Sequence, residues 1–518
     1  EDGLELFIGD DSSLSVKTTL VPNTVMHVKE MGLLQIMGNA TLRLESSVLN
    51  MESKSQFVPY CGRIELDNSE LNFNIGSEIL DYRLDHYEII STGQSSFHNT
   101  DFHLIGSSEL VLNESSQFTI LKGSNIAVSP ESQIVLKEGS ELVIEEGASL
   151  FFESGATINI EGHARISGKI QLEDGVNINI LESSSLSLAN SQLEILPNTS
   201  LKLGNNSQLI LEEGTSLTFD DGTVTELGEF AEIILRAGSS LKTNNNSSEK
   251  VIFKNVSNFW EAISCEVGSS IEIEDTEFIG ADFGIYGSPS FCRITSSGFY
   301  DCYNGIFLTN CTDYTINNNR LFGKGIDSDG QAYGAGITLT SCTKPLIGNS
   351  IKNFADGVKL ISSSVILAKN NILDNINNGL FITGHGSKPV LVNTVAKDLT
   401  PRLNNEIRNN GLDNPLQNGA QIYMRYSAGA YLTGGYNNIY SGEIGTMPVI
   451  PCIKGIINVT VPVISQVIIS AERNYWGTSY IHELNQPELF EFRSSTYNTG
   501  YSIDFDPYAL SPYTADGS

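Results

Sequence analysis

The sequence predicts an all-β chain folded as a right-handed parallel β-helix, a solenoid in which short strands stack coil upon coil. Three observations predict it: apolar residues recur every eight positions, a second apolar residue follows most of them two positions later, and Gly, Ser, Asn or Glu fill the gaps. The eight-residue series is Leu110, Phe118, Ile126, Ile134, Leu142, Leu150, Ile158 and Ile166. After a slip of four residues the series resumes at Ile170.

An α-helix cannot produce this pattern, because residues i and i+2 lie on opposite faces of a helix but on the same face of a strand. Each eight-residue unit is therefore a strand with two inward side chains and a corner. Three units make a coil of about 24 residues, which is typical of a β-helix, and the whole chain would hold roughly 20 coils. The six-residue units of a left-handed β-helix and the regular turn dipeptides of hairpins are missing.

Between the regular series and the C-terminal region, coils begin with Gly followed by an aliphatic residue. These glycines are Gly284, Gly305, Gly336, Gly357 and Gly379. The longest interval predicts an inserted loop at about Lys324–Tyr333, and a second insertion is expected at about Asp398–Asn418.

Asparagines recur at a similar phase of these coils. They are Asn317-Asn318-Asn319, Asn349, Asn370-Asn371, Asn404-Asn405 and Asn437-Asn438. Asn tolerates a left-handed corner, and stacked Asn side chains can form hydrogen bonds along the axis. We therefore expect a structural asparagine ladder rather than a binding site.

Four segments are distinguished by these patterns. Residues 1–105 are expected to form irregular N-terminal coils, and residues 106–250 regular coils of eight-residue units. Residues 251–445 are expected to form coils with Gly-Ile and Asn-Asn signals and inserted loops, and residues 446–518 the terminal coils and a C-terminal cap.

Composition limits the partners. The net charge of −31 disfavours binding to nucleic acids and to anionic membranes, and no stretch is apolar enough for a transmembrane helix. The same charge would attract Ca²⁺, although its simplest effect is to keep the chain soluble. Seven cysteines in 518 residues do not indicate a disulfide scaffold, and no signal peptide is recognisable at the start.

The Gly-Ile coils and Asn-Asn pairs resemble right-handed parallel β-helix repeat proteins of bacterial cell surfaces, in the pectate-lyase-like superfamily. So do the segments Arg-Asn-Tyr-Trp-Gly at 473–477 and Ile-Asp-Phe-Asp-Pro-Tyr at 503–508. The resemblance covers about residues 250–510 and implies a secreted or cell-surface protein. In these relatives a similar Trp element closes the solenoid, so Trp476 is expected to plug the core, with sugar stacking as the alternative.

Pectate lyases and polygalacturonases share this fold, so the resemblance also allows a catalytic function. Polygalacturonases carry paired carboxylates and Asn-Thr-Asp, Asp-Asp, Gly-His-Gly and Arg-Ile-Lys motifs. Only Gly384-His385-Gly386 matches. The nearest upstream acids on that face are Asp356 and Asp374, which are not part of an Asp-Asp pair, and Arg402 begins a poor substitute for the basic motif. No complete lyase or polygalacturonase motif set is present, so the sequence favours a non-enzyme, with His385, Asp356 and Asp374 as the candidates if it is one.

Metal and thiol sites are also weakly indicated. Asp327 and Asp329 offer alternating oxygen ligands in a turn, as calcium loops do, but the bidentate Glu of such loops is missing. No other cofactor is expected. Cys311 and Cys342 lie at the same position of their coils, so a stack of thiols or a disulfide is expected, and Cys292 with Cys302 is a second potential pair.

The sequence thus favours a non-catalytic extracellular structural protein, adhesin-like or filament-forming. Leu4–Ile8 is strand-like with no capping helix before it, so the cap is expected to come from a neighbouring subunit, by end-to-end self-association, or from an upstream domain. The alternatives are a polysaccharide-acting lyase or hydrolase, or a non-catalytic glycan-binding protein. Both would use a lateral groove flanked by the two inserted loops.

Overall fold

In the computed structural model, residues 108–244, 249–326 and 331–384 are described without a break. Shorter stretches, mostly strands, are described between residues 5 and 104 and between 387 and 504. Every regular element within these residues is a β-strand. The chain divides into two compact units, Glu1–Asn258 and Phe259–Ser518.

The first unit consists of parallel strands in three columns, and each strand pairs with the strand three positions along the chain. The first column comprises Lys17–Leu20, Thr41–Glu45, Arg63–Asp67, Glu88–Thr92, Glu109–Leu112, Gln133–Lys137, Thr157–Glu161, Asn177–Ile180, Ser200–Leu203, Val224–Leu227 and Val251–Asn255. The second comprises Val25–Val28, Val48–Met51, Glu70–Phe73, Gln94–His98, Gln117–Ile120, Glu141–Ile144, His163–Ser167, Ser185–Ala189, Gln208–Leu211 and Glu232–Leu235.

The third column of the first unit is divided into three separate sheets. Their strands are Glu5–Ile8, Leu33–Met37, Gln56–Tyr60 and Glu78–Ile79; then Asp101–Leu104, Asn125–Val128, Ser149–Phe152 and Ile170–Leu172; then Gln192–Ile195, Ser216–Phe219 and Ser240–Thr243. The second interruption falls immediately after the four-residue slip of the sequence series.

The second unit repeats the three-column plan. Its first column comprises Thr276–Ile279, Gly298–Cys302, Arg320–Gly323, Ser350–Lys352, Asn371–Leu373, Glu406–Arg408 and Asn438–Tyr440. Its second comprises Ala262–Cys265, Phe283–Gly287, Asn304–Thr309, Ala335–Thr340, Asp356–Ile361, Asn378–Thr383, Ala420–Arg425, Ile453–Ile457 and Phe490–Ser494. Its third comprises Ser270–Glu274, Phe291–Thr295, Tyr314–Asn317, Leu346–Ile347 and Leu367–Ala368; Val467–Ser470 and Tyr501–Asp504 form a separate pair.

Alternation of side chains explains why the coils stack. In the strand Thr157–Glu161, Ile158 and Ile160 are buried, and they lie opposite Ile134 and Leu136 of the preceding coil. Each such aliphatic side chain contributes roughly 1.5–3 kcal/mol through burial. The parallel β-solenoid is therefore confirmed. The second columns hold ten and nine described strands in the two units, close to the expected coil number. The four-segment division stays a prediction.

The asparagine ladder is confirmed in the second unit. The side-chain oxygens of Asn349, Asn370, Asn405 and Asn437 each accept a hydrogen bond from the backbone N–H of the ladder residue one coil earlier. The left-handed residue is the one before the ladder position, as at Asn318 and Lys369, rather than the ladder asparagine itself. The conformational role and the hydrogen-bonding role thus belong to neighbouring residues.

The two expected insertions have different outcomes. The first is confirmed, because residues 324–334 separate two strands that are nearly contiguous in other coils. The second, Asp398–Asn418, is wrong as a single insertion. It contains the strand Glu406–Arg408, which pairs with Asn371–Leu373 and Asn438–Tyr440. Asn405 and Asn410 on either side of this strand are buried, so a first-column strand of the core lies within that range.

Candidate binding face of the second unit

Aromatic and lysine side chains line the outward face of the second column. The register places Tyr286 opposite Phe307 and Phe307 opposite Thr338, then continues through Lys359 and Phe381. Tyr423 follows, opposite Phe381. The residues on either side of these positions point into the core, as Ile306 and Leu308 do beside Phe307. We call Tyr286, Phe307, Thr338, Lys359, Phe381 and Tyr423 the aromatic–lysine column.

Neighbouring rings of this column are in contact. The ring centroids of Tyr286 and Phe307 are 5.2 Å apart, and those of Phe381 and Tyr423 are 5.4 Å apart. The Nζ of Lys359 lies 5.6 Å from the Phe381 ring centroid, within the range of a cation–π interaction. Tyr286 is 43% exposed. The column therefore presents apolar ring surface together with a positive charge.

A second aromatic group occupies the corner that leads into these strands. The Phe259 and Tyr303 rings lie 4.1 Å apart, and Tyr303 and Tyr333 lie 5.7 Å apart, edge to face. The Nζ of Lys324 is 3.9 Å from the Phe259 centroid. We call these four residues the corner cluster. Because Lys324 and Tyr333 belong to the first insertion, the inserted loop contributes to the outward surface of this unit.

Asp356 lies one coil beyond Tyr333, at the start of the strand Asp356–Ile361. Its backbone N–H donates to the carbonyl of Gly334 at 3.2 Å, and its Oδ1 accepts a hydrogen bond from Asn378 Nδ2 at 2.7 Å. Burial raises the pKa of this carboxyl to about 6, against the opposing effects of the Asn378 hydrogen bond and the charge of Lys359. Asp356 can therefore hold a proton under mildly acidic conditions.

The structure does not bring the other candidate acid to Asp356. Asp374 follows the first-column strand Asn371–Leu373 and occupies an exposed, left-handed corner position with φ of 51°. Asp282 is a second carboxyl at the equivalent corner of another coil, and burial raises its pKa as well. It lies three coils earlier, roughly 14 Å away at about 4.8 Å per coil.

Four candidates from the sequence lie outside the described residues: His385, Asp327, Asp329 and Trp476. Their expected catalytic, metal-binding and plugging roles therefore stay predictions, as does the binding of Ca²⁺. Within the described part of the chain, no group of three or more His, Cys, Asp and Glu side chains is placed to hold a metal ion.

Cys311 and Cys342 stack as expected, and both thiols are free. The strands that precede them pair with Thr309 opposite Thr340, and the backbone of Cys311 forms a hydrogen bond with the Cys342 thiol. The backbone N–H of Cys342 in turn donates to Ser363 Oγ at 3.0 Å. Burial raises the pKa of the Cys311 thiol to about 11. The cysteines are thus members of a second ladder.

The potential pairing of Cys292 with Cys302 is wrong. Cys292 lies in a third-column strand and Cys302 in a first-column strand, and both are buried free thiols. The thiols that influence the pKa of Cys292 are Cys265, Cys311 and Cys342. Ten positions along the chain carry these two cysteines to different sides of the coil.

Sequence reasoning missed the aromatic–lysine column, although the signal was present. Five of its members are the third residue of the motifs Gly284-Ile285-Tyr286, Gly305-Ile306-Phe307, Gly336-Ile337-Thr338, Gly357-Val358-Lys359 and Gly379-Leu380-Phe381. Because the aliphatic residue points inward, the next residue points outward and repeats once per coil.

Comparison with protein families supports the architecture. Residues 233–396, about a third of the chain, match the family model described as a right-handed β-helix region. Together with the parallel columns, this match confirms the resemblance to right-handed β-helix proteins and the predicted fold class. No curated protein and no solved structure matches the chain. Within the described residues, no helix is long and apolar enough to cross a membrane.

Proposed function

For this right-handed parallel β-helix, we propose the role of a non-catalytic extracellular surface protein that binds glycan chains on the aromatic–lysine column. The column itself carries the proposal. Binding sites for small molecules are commonly lined by aromatic side chains with a few polar groups that fix orientation. Here Phe381 and Tyr423 supply ring faces, and Lys359 supplies a donor beside them.

The repeat of the face fits a ligand that itself repeats. Successive strands of a sheet lie about 4.8 Å apart. The rings form two pairs of platforms along the axis, Tyr286 with Phe307 and Phe381 with Tyr423, and the buried Thr338 lies between the two pairs. A polymer of sugar rings can contact several of them at once, and each added contact raises the overall affinity. The corner cluster extends the aromatic surface on one side, with the Lys324 charge held between the Phe259 and Tyr303 rings.

A structural role for most of the repeat supports the non-catalytic part of the proposal. The recurrent asparagines and serines are occupied by ladder hydrogen bonds, as Asn405 is with Asn437 at 2.8 Å. Cys311 and Cys342 are occupied in the same way. These residues stabilise the scaffold. The side chains that point outward are therefore the ones available for binding.

A polysaccharide-acting enzyme is the second candidate, and Asp356 favours it. A buried carboxyl with a pKa of about 6 is suited to act as a general acid. Hydrolysis requires a second carboxyl within roughly 5–9.5 Å of the first. Asp282, three coils away, lies beyond that distance, which is why we favour binding without cleavage.

Binding and product formation on the same glycan panel test the proposal. We expect acidic and neutral oligosaccharides to include ligands whose affinity falls at least tenfold in Phe381→Ala, by the loss of one aromatic platform. Phe151→Ala removes an outward ring of the first unit and serves as the matched control. Release of reducing ends or unsaturated products, abolished by Asp356→Asn, would instead establish the enzyme.

Self-association and location are part of the same proposal. We propose that the protein works outside the cell and that separate copies of it can associate end to end. Stacked strands leave open edges at the ends of a column, and such edges can pair with another chain. Sedimentation velocity over a hundredfold range of protein concentration checks the association. A constant sedimentation coefficient would contradict it.

A further inference from the structure

One corner of the first unit exposes three large apolar side chains. This corner follows the first-column strands, and Leu181, Phe230 and Val256 are 44%, 56% and 65% exposed there. Strand register and backbone hydrogen bonds align Leu181 with Gly204, Gly228 and Val256 in the next three coils. We call these five residues the corner patch. Apolar side chains that are exposed together in this way indicate a surface that contacts another molecule.

The backbone of Phe230 gives a second, independent indication. Its φ is 56°, in the left-handed region, where the equivalent residues of the two preceding coils are Asn206 and Ser183. Small or amide side chains tolerate a left-handed corner, whereas a bulky aromatic residue is rare there. Among the described residues no other ring contacts Phe230, and more than half of its surface is open to solvent. Within this part of the chain nothing compensates for the conformation, which is typical of a residue that takes part in an interaction.

Charged residues border the patch in alternate coils. Glu182 and Glu229 lie at the corner in the first and third of the four coils that the patch spans, and their carboxylates have no hydrogen-bond or ion-pair partner among the described residues. Lys202 and Lys254 lie two positions before the corner in the second and fourth coils, and 53% and 41% of their side chains are exposed. Glu226, between the two lysines, pairs with both. The order along the axis at the border of the patch is therefore acid, base, acid, base.

We propose that the corner patch binds the corner patch of a second copy of this chain, in a lateral, antiparallel contact with two-fold symmetry. Both copies use the same surface in such a contact, so the surface has to be complementary to itself. A two-fold axis between the second and third coils places the first coil of one copy against the fourth coil of the other, and the second against the third. Each acid then meets a base: Glu182 faces Lys254 of the second copy, and Glu229 faces Lys202 of the second copy.

The apolar residues match in the same arrangement. Phe230, in the third coil, lies against Gly204 of the second copy, where no side chain covers the backbone. Leu181 lies against Val256 of the second copy. These contacts remove exposed apolar surface from water, which favours association. A parallel arrangement would place like charges against each other, so the charges favour the antiparallel one.

The oligomeric state of the full chain tests the proposal. By sedimentation velocity we expect wild type to form a dimer as its concentration rises, because two-fold symmetry closes after two copies. Phe230→Asn removes the ring and suits the left-handed corner, so it should weaken dimerisation at least about tenfold without lowering the midpoint of urea unfolding.

Charge reversal tests the register. Glu229→Lys and Lys202→Glu each place like charges together twice in the symmetric dimer, so each should weaken dimerisation at least about tenfold. The double variant restores opposite charges across the contact and should dimerise more tightly than either single variant. Glu213→Lys, an equal change at an exposed position of a different corner, is the control and should leave the dimer unchanged.

Wild type that stays monomeric at the highest soluble concentration would overturn the proposal, and so would a dimer that Phe230→Asn leaves unchanged. A double variant that dimerises no more tightly than the single variants would overturn the antiparallel register. Association that continues beyond two copies and persists in Phe230→Asn would come from the ends of the columns. It would support the end-to-end association and overturn the lateral contact.

Discussion

Asn349 donates two hydrogen bonds to a single oxygen of Asn370. Its backbone N–H and its side-chain Nδ2 lie 3.0 and 3.1 Å from Asn370 Oδ1, and the same Nδ2 also donates to the carbonyl of Ile316 at 3.0 Å. Asn370 repeats the arrangement with Asn405. A buried amide that is fully satisfied in this way stabilises one register of stacking, because any displaced register leaves its polar atoms unpaired.

Removing one ladder side chain should therefore be costly. Asn370→Ala leaves the buried N–H and Nδ2 of Asn349 without their acceptor, and each unsatisfied group costs about 1–3 kcal/mol. We expect the free energy of unfolding, measured in urea, to fall by at least that amount. Asn371→Ala changes the exposed neighbour and should stay within about 0.5 kcal/mol of wild type. Equal losses in the two variants would contradict the ladder.

The raised pKa of Asp356 makes stability depend on pH. The folded state holds the proton more tightly than the unfolded state, so this stabilisation is complete below the unfolded pKa near 4 and is lost as the pH rises through about 6. We expect the free energy of unfolding to fall by about 3 kcal/mol between pH 4 and 7. Asp356→Asn should make the free energy of unfolding less dependent on pH in this range. Urea unfolding at several pH values measures it. An equal slope in the variant would show that Asp356 is not the titrating group.

Glu226 should make stability depend on pH in the opposite direction from Asp356, and by a smaller amount. Its carboxylate lies 3.2 Å from Lys254 Nζ and 3.4 Å from Lys202 Nζ, and the hydrogen bond from Lys254 lowers its pKa. The stabilisation is present above the unfolded pKa and is lost as the pH falls through the folded pKa. Because these side chains are partly exposed, Glu226→Gln should cost under about 1 kcal/mol at pH 7 and nothing measurable at low pH. A cost that does not decrease in high salt would argue against ion pairing.

Gly168, directly after the strand His163–Ser167, should not tolerate a side chain. Its φ is 103°, and a Cβ there would lie 2.1 Å from the carbonyl oxygen of Ile144. Gly155 has a similar φ of 86°, but its Cβ would meet only Pro130, at 3.7 Å. Gly155→Ala should thus cost about 1–2 kcal/mol of backbone strain, and Gly168→Ala substantially more. Thermal unfolding compares them, and similar melting temperatures would refute the close contact.

The five described cysteines should resist modification in the folded protein. All are buried free thiols, and desolvation raises the pKa of Cys265 and Cys302 to about 12, so little thiolate is present at neutral pH. In a variant in which Cys61 and Cys452 are replaced by Ser, Ellman's reagent should react only after denaturation, then with five thiols. Reaction with fewer thiols in denaturant would reveal a disulfide.

The sequence could predict what the core requires and little of what the surface does. The i and i+2 pairs and the asparagine phase are repeated because every coil must fill the same interior, so the fold and the ladder were recoverable. Cys292 and Cys302 were misassigned because nearness along the chain does not indicate which column a residue joins. Asn405 was recognised from the asparagine phase, but Asn410, five residues later, was missed because it lies in a range that was assigned to an insertion.

The full extent of the aromatic–lysine column could be found only from the strand register, because Tyr423 does not follow a Gly-aliphatic pair as the other members do. Phe381 and Tyr423 are 42 positions apart, and only the pairing of Leu380 with Ile422 makes them neighbours. Packing in the core does not determine which residues occupy these outward positions. Their periodic pattern in the sequence is therefore weaker than that of the inward residues.

The ladder also has a direction. Each asparagine N–H points to a side chain that belongs to the coil after it, as Asn319 does to Asn349 and Asn349 to Asn370. During synthesis from the N-terminus, every coil is therefore completed before the acceptor of its donors has been made. The youngest coil on a ribosome-bound chain always carries open donors, and each new coil closes those of its predecessor. The ladder bonds of a coil can therefore form only once the coil that follows it along the chain has folded.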